Sequence, residues 1–377
     1  MRFFTTLTDR YFPLHPPIVG LDVSSRAVKA VFLKETRRGL LLSGWGEKTF
    51  ASGAVEGGLV QNADVLLQAL TNVWDDLRLK TKERWVIASL PEEQVFIRLI
   101  TMPVLPKAEL QKAIDLELEA NVPLPRNEIY ADWFLFPQER DATGVHQDIM
   151  LVAAPKNAVD TLVGVFDRAG MTVIAMEPES QALARLLGRT YNNENDAVLA
   201  VDLGATATRI LVLANGWVRL STTMSLSGEG MTDTIAKARH IDQAQAERLK
   251  RYIGIEDSKE GYELFRILEP SLRDLVVELQ RSSAYWEERS DHRHGLKERI
   301  GTIVLSGGGA NLKGLAQFLA FHTRMTVNMA DPALLFTSDR KGIRIAPSFS
   351  RPATPFDPIT YTAALGLALR GAAYRPF

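Results

Sequence analysis

Two aspartates stand in matching surroundings. Residues 19–33, VGLDVSSRAVKAVFL, lie on residues 199–213, LAVDLGATATRILVL, at an offset of 180 without a gap, which sets Asp22 on Asp202. Each segment reads as an apolar strand, a carboxylate, a tight turn of small residues and a second apolar strand. A carboxylate at the end of a buried strand is costly unless a cation or hydrogen bonds compensate it. Turns built from Ser24 and Ser25, or from Gly204 and Ala205, have backbone N–H groups free to meet an anion. One such hairpin alone reads as an ordinary turn capped by its aspartate. Two in register read as a clamp on a phosphate chain, with a hydrated Mg²⁺ between Asp22 and Asp202.

A second segment has the same flavour. In IGTIVLSGGGANLKGLAQFL, residues 300–319, a strand at Thr302–Leu305 runs into Gly307, Gly308 and Gly309. A helix is expected to follow directly, with Leu312, Leu315 and Leu319 along one stripe. Glycines let backbone approach a ligand that any Cβ would block, and a helix N-terminus adds roughly half a positive charge there. The spacing is neither the dinucleotide fingerprint, which needs glycine at Leu312, nor a P-loop, which needs Lys after Gly314. A bare glycine triplet also fits a plain tight turn, and its position about 100 residues after the second hairpin is what raises its value.

The elements that must hold these residues alternate. Strands are expected at Ile18–Val23, Ala27–Lys34, Trp85–Leu90, Val95–Ile100, Ile149–Ala154 and Thr172–Met176. Helices are expected at Asp64–Leu79, Lys107–Ala120, Val159–Ala169 and Ser180–Thr190. This is α/β patterning, sheets covered by helices. The repeat offset far exceeds solenoid periods of about 20–50 residues, so it marks duplication of a half. The chain has 377 residues, room for several subdomains, and a net charge of −1, which recruits neither nucleic acid nor anionic lipid at long range. With no cysteine, disulfides, thiolate metal sites and cysteine nucleophiles are excluded. No apolar run approaches the roughly 18 residues of a membrane span, and the first residues lack a signal-peptide pattern, so a cytoplasmic protein is expected. Residues 1–17 are expected to be a flexible segment. His292 and His294, in SDHRHGLKER, are expected in a solvated loop, because no partner ligands have metal spacing.

Strand-Asp-turn-strand, a second copy and a late strand-GGG-helix resemble the two phosphate motifs and the adenosine motif of the actin, DnaK-type chaperone and sugar kinase superfamily. Glu177-Pro178-Glu179-Ser180-Gln181-Ala182 and the run Thr362–Leu369 resemble its two connecting helices. GEGMTDTIAKARHIDQAQAERLKRYIG, residues 228–254, is similar to the FtsA segment whose Glu-x-x-Lys helix borders the adenosine. More narrowly, VGLDVSSRAVKAVFL, ITMPVLPKAELQKAIDLELEANVPLP, VDLGATATRILVLANG and VLSGGGANLKGLAQFL resemble the PilM family of actin-like type IV pilus assembly proteins, from about residue 17 to residue 370.

This resemblance implies an actin-like (ribonuclease H-like) duplicated fold with an inserted FtsA/PilM-type subdomain. The expected division is 18–100 plus 149–190 for the first core, 101–148 for the insertion, 196–226 plus 300–370 for the second core, and 227–299 for a small helical subdomain. The implied cofactors are ATP and Mg²⁺. Phosphate contacts fall on Ser24, Ser25, Lys29, Gly204, Ala205 and Thr206. Adenosine contacts fall on Glu247, Lys250, Gly307, Gly308, Gly309 and Asn311, and the metal, through water, on Asp22 and Asp202. Glu177 matches the carboxylate that orients water in the chaperones. No other base stands out, so slow or negligible hydrolysis is expected.

The implied partner is the cytoplasmic tail of the membrane protein PilN, with other inner-membrane pilus components. Its tail would lie in a groove between the first core and the insertion, placing this protein on the cytoplasmic face of the inner membrane. Leu110, Ile114 and Leu118 read either as core or as a wall of that groove. Self-association is left open. An FtsA-like polymerising tether is the second reading; it calls for a C-terminal amphipathic helix, whereas LALRGAAYRPF follows the last core helix. A small-molecule kinase is the third.

Overall fold

The computed structural model describes residues 16–37, 39–51, 53–141, 144–191, 197–214, 216–294, 299–331, 343–345 and 359–374. The polar break at 192–196, the Pro-rich stretch 346–358 and residues 1–15 lie outside these, as do the side chains of His292 and His294.

Every residue of Ile18–Val23 (β1) is buried, Asp22 included, as befits a central strand covered on both faces. Ala27–Thr36 (β2) and Gly39–Thr49 (β3) follow as antiparallel neighbours. A small hairpin, Val55–Glu56 (β4) with Leu59–Val60 (β5), leads into Ala63–Asp76 (α1). The Asn62 side chain caps that helix by accepting from the Val65 N–H. Trp85–Leu90 (β6) joins β1 in parallel.

Phe96–Pro103 (β7), Lys107–Asn121 (α2), Ile129–Asp141 (β8) and Gly144–Pro155 (β9) then form a separate sheet in the order β7-β9-β8. This sheet starts before residue 101 and ends after residue 148, so it takes in segments 96–100 and 149–155 that were assigned to the first core. Lys156–Arg168 (α3) and Thr172–Pro178 (β10) return the chain to the first sheet, whose order is β10-β6-β1-β2-β3.

After Glu179–Thr190 (α4) the plan repeats. Val198–Leu203 (β11), Thr208–Ala214 (β12) and Trp217–Met224 (β13) form an antiparallel meander. Three helices follow: Gly228–Arg239 (α5), Gln243–Tyr252 (α6) and the long Lys259–His294 (α7). Ser227 and Asp242 cap the first two, accepting from Gly230 N at 3.0 Å and Gln245 N at 2.7 Å. The backbone of α7 stays helical to His294, so His292 and His294 lie on a helix and not in the loop expected for them. Thr302–Ser306 (β14), Leu315–Thr323 (α8) and Thr326–Met329 (β15) complete a sheet ordered β13-β12-β11-β14-β15. Strand for strand this is the first sheet again, with the same antiparallel and parallel pairs.

The chain ends by crossing back. Ile343–Ile345 (β16) pairs with β3 at the edge of the first sheet. Thr362–Ala373 (α9) lies across β1, where a Cβ on Gly20 would fall on the backbone of Ala368 and Ala364. Leu365, Ala368 and Leu369 share a buried cluster with Val31, Leu33 and Leu42 of the first sheet. The expected assignment of 300–370 to the second core is therefore corrected: residues 343–345 and 359–374 serve the first. Conversely, α4 sends Leu183, Ala184 and Leu187 into a cluster with Val198, Ala200, Leu211 and Leu213 of the second sheet. The two crossing helices meet at Gly366, where a Cβ would collide with the Ala182 backbone.

Candidate functional site

The two hairpin turns close with the same bond. Ser24 N donates to Ala27 O and Gly204 N donates to Ala207 O, each at 2.9 Å. They face each other across a cleft of about 1070 Å³ between the halves. Ser25 Oγ and Thr206 Oγ1 lie 3.2 Å apart. Arg26 reaches over the mouth to Glu229 at the start of α5, with Nη2 donating to Oε2 at 2.6 Å and Nε to Oε1. Helix α5 is seated on the second turn, its Gly228 and Glu229 N–H groups donating to Gly204 O and Ala205 O at 3.0 Å. Every residue assigned above to phosphate, adenosine or metal lines this one cleft. The Ser24 hydroxyl, however, is spent inside its own turn, donating to Ala27 O at 3.0 Å.

The floor is a duplicated trio. Strand register sets Lys29 opposite Asp22 on the neighbouring strand, and Arg209 opposite Asp202. The third member comes from the parallel neighbour. Ser89, whose Oγ accepts from Val23 N at 2.9 Å, stands beside Asp22 on the parallel strand, and Ser306 Oγ donates to Asp202 Oδ1 at 3.0 Å. Lys29 Nζ also donates to Thr360 O at 2.8 Å. Arg209 Nη1 donates to Asp202 Oδ2 at 3.1 Å, while Nη2 lies 2.9 Å from Glu179 Oε2 and 3.9 Å from Glu93 Oε1.

Burial pushes the carboxyls of Asp22 and Glu179 up; Lys29 opposes this at Asp22, and Arg209 opposes it at Glu179. Burial alone would lower the Arg209 guanidinium, but Glu179 and Asp202 reverse that and raise it. Glu92 is tied up elsewhere, accepting from Ser180 N and Ser221 Oγ at 3.2 Å, which caps α4 and ties it to β13.

The carboxylate expected to orient water is displaced. Glu177 does not line the cleft; it is 4% exposed and paired with Arg185 and, at 2.5 Å, with Arg370. Pro178 turns the chain between strand and helix, so Glu177 locks β10 to α4 and α9 while Glu179, two residues on, faces the cleft. Sequence reasoning missed Glu179 and Arg209. The signal for Arg209 was present, since it stands 180 residues after Lys29.

The glycine triplet is also subdivided. A Cβ at Gly307 (φ +80°) would lie 2.5 Å from Leu203 O and 2.8 Å from Asp202 Oδ1, and one at Gly309 would lie 2.9 Å from Leu203 Cβ. These two glycines let the turn press on the end of β11. Only Gly308 has open space around it. A single turn of 3₁₀-helix, Gly308–Asn311, follows, and α8 starts only at Leu315. The expected helix dipole at the triplet is thus absent; Leu312, Leu315 and Leu319 are core.

Glu247 and Lys250 border the cleft and staple α6 to α5. Lys250 Nζ donates to Gly228 O at 2.6 Å and Thr232 Oγ1 at 2.7 Å, and lies 2.7 Å from Glu247 Oε2. Burial would raise the Glu247 carboxyl, but hydrogen bonds from Lys250, Thr232 and Arg251 hold it down at about 2. The stripe Leu110, Ile114, Leu118 packs inward on the third sheet, with Ile114 fully buried among Ile100, Ile129 and Ile149. As a set it is core. Leu118 alone also edges a pocket of about 270 Å³, lined further by Phe96, Ile97, Val122 and, from β13, Ser221 and Thr223.

The residues fit a nucleotide better than they fit a metal. The cleft has polar turns and an open glycine. For Mg²⁺, Asp22 Oδ1 is a buried acceptor without a partner, whereas both oxygens of Asp202 are engaged. Among the described residues no group of three or more His, Asp or Glu is placed to hold a metal directly, and no helix is long and apolar enough to cross a membrane.

Known proteins share this architecture. The structure of a PilM–PilN type IV pilus biogenesis complex superposes with a TM-score of 0.77 at 23% identity, covering 95% of this chain and 99% of that one. MreB5 of Spiroplasma citri bound to AMPPNP gives 0.52 at 15% identity, covering 85% and 93%. The fold is therefore the actin-like mixed α/β fold with two similar subdomains. Cell division protein FtsA of Staphylococcus epidermidis is 20% identical over 375 residues, 88% of this chain and 76% of that protein. The family described as type IV pilus assembly protein PilM matches residues 20–372. With nearly the whole chain matched, both sheets and the cleft between them included, this protein belongs to the PilM family of type IV pilus assembly proteins.

Proposed function

We propose that this chain is an ATP-binding scaffold of type IV pilus assembly, whose cleft holds the nucleotide and whose partner is the cytoplasmic tail of a PilN-type membrane protein. The observation that carries the nucleotide reading is the pair of like-closed turns over a duplicated Asp-Lys/Arg-Ser floor. The turns would hold phosphates, and Gly308 would let the base side of the ligand lie against backbone. Hydrolysis is slow or negligible in this reading, because Glu179, the carboxylate facing the cleft from α4, is bound to Arg209. The partner reading is supported by family membership and by the complex to which the fold is similar. The pocket at Phe96, Leu118 and Val122, between the third sheet and β13, offers a short peptide a seat of mixed lining, with Asn121, Ser221 and Thr223 as its polar groups. Coupling follows from position: the pocket shares Glu92 and β13 with the supports of α4, one of the two helices that cross between the halves.

The test is equilibrium binding of a fluorescent ATP analogue to the wild type and Gly308→Val, with and without a synthetic PilN-type tail peptide. A valine there projects into open space, so affinity should fall about tenfold or more with little change in the unfolding midpoint. Unchanged affinity would remove the nucleotide from this cleft. A wild type that ignores the peptide in every nucleotide state would remove the partner reading.

A further inference from the structure

The two carboxylates on the floor of the cleft differ in what they still lack. Asp202 has Ser306 on Oδ1 and Arg209 on Oδ2. The guanidinium that serves it is 8% exposed and fixed on three sides by carboxylates from β11, α4 and the turn after β6. Asp22 is 7% exposed, and its Oδ1 has no donor at all. Its basic neighbour Lys29 is held away by the Thr360 carbonyl. A buried carboxylate oxygen without a donor is costly unless a cation or a proton joins it. Magnesium keeps most of its waters and asks for only one or two protein carboxylates.

We infer that the divalent cation of the nucleotide site is held from one side only: Asp22 is the carboxylate that answers to it, and Arg209 is a built-in cation that takes its place at Asp202. This rests on the nucleotide reading above and deepens it. The floor then carries one exchangeable cation and one fixed one. A fixed guanidinium also keeps Glu179 and Asp202 paired when the cleft is empty, so loss of the metal leaves the second half intact.

The experiment compares the affinity of a fluorescent ATP analogue in Mg²⁺ and in excess EDTA, with unfolding midpoints recorded for each variant. Wild type should bind about tenfold more weakly without Mg²⁺. Asp22→Asn should abolish that ratio, and Asp202→Asn should keep it. The double variant Asp22→Asn with Arg209→Gln removes one charge of each sign and frees Asp202 Oδ2, so the Mg²⁺ effect should return; this arm remains decisive if Asp202→Asn fails to fold. Equal loss of the ratio in Asp22→Asn and Asp202→Asn, or no return in the double variant, overturns the one-sided site. Wild type that binds no nucleotide in either buffer overturns the nucleotide reading itself and this inference with it.

Discussion

In the first half, the carboxylate at the end of the central strand stands opposite a lysine whose ammonium donates to a backbone carbonyl instead. In the second, the carboxylate at the same place faces a guanidinium shared with Glu179 and Glu93. Backbone, register and turn closure are the same at an offset of 180 residues. Duplication has thus kept the geometry and exchanged the means of neutralising a buried charge. A forked, planar cation can satisfy several acceptors at once, while a point charge on a flexible stem is easily diverted to one.

Removing the two cations should separate the halves most. Arg209→Ala strands Asp202 and Glu179 and should cost about 3–5 kcal/mol. Lys29→Ala should cost about 1–2 kcal/mol. Urea unfolding measures both, and equal losses would mean that the two floors are compensated alike.

The next contrast is Gly20 against Ala200, which are equivalent strand positions. At Gly20 a helix backbone is pressed on the central strand, so Gly20→Ala should lose about 3 kcal/mol. Ala200→Gly should lose about 1 kcal/mol. A similar contrast lies beside the serines, where Ser89 is followed by Leu90 and Ser306 by Gly307. Gly307→Ala should cost about 1–3 kcal/mol through its positive φ and its contact with Leu203 O. Gly308→Ala should stay within about 0.5 kcal/mol.

The smallest effect is in pH dependence, and its sign differs between the sites. Glu247 sits at about 2, below the ordinary 4.5, so its contribution is full above 4.5 and drains away as pH falls from there through 2. Asp22 and Glu179 are raised, so they oppose folding while ionised, and stability is regained as pH falls through their raised values. Midpoints of Glu247→Gln should therefore decline less than wild type between pH 4.5 and 2. Those of Asp22→Asn should lack the gain on mild acidification.

Much of this was legible in the residues because it is local or repeated. VGLDVSS and VDLGATA announce the same hairpin, and a strand before three glycines needs no tertiary knowledge. What stayed hidden depends on which face a residue presents after long-range closure. Glu177 and Glu179 flank one proline, and only the crossing of α4 with α9 decides which of them faces the cleft and which becomes a lock for Arg185 and Arg370. The Leu110–Leu118 stripe could not tell core from groove, since a helix face that covers a sheet and one that lines a cleft have the same period. The return of α9 to β1 had no sequence signal beyond the small residues Ala364, Gly366 and Ala368, which speak of close approach without naming the neighbour.

That return also bears on how the protein is made. Gly20 leaves the ribosome early, but the helix that covers it follows about 350 residues later, at a synthesis rate of roughly 5–20 residues per second. For tens of seconds one face of the first sheet, with Val31, Leu33 and Leu42, lacks the cover of Leu365, Ala368 and Leu369. The strands of the second sheet are complete at Met329, before the helix that covers the first sheet is made. A chain truncated before Thr362 should be a stronger client of holding chaperones than one that carries α9.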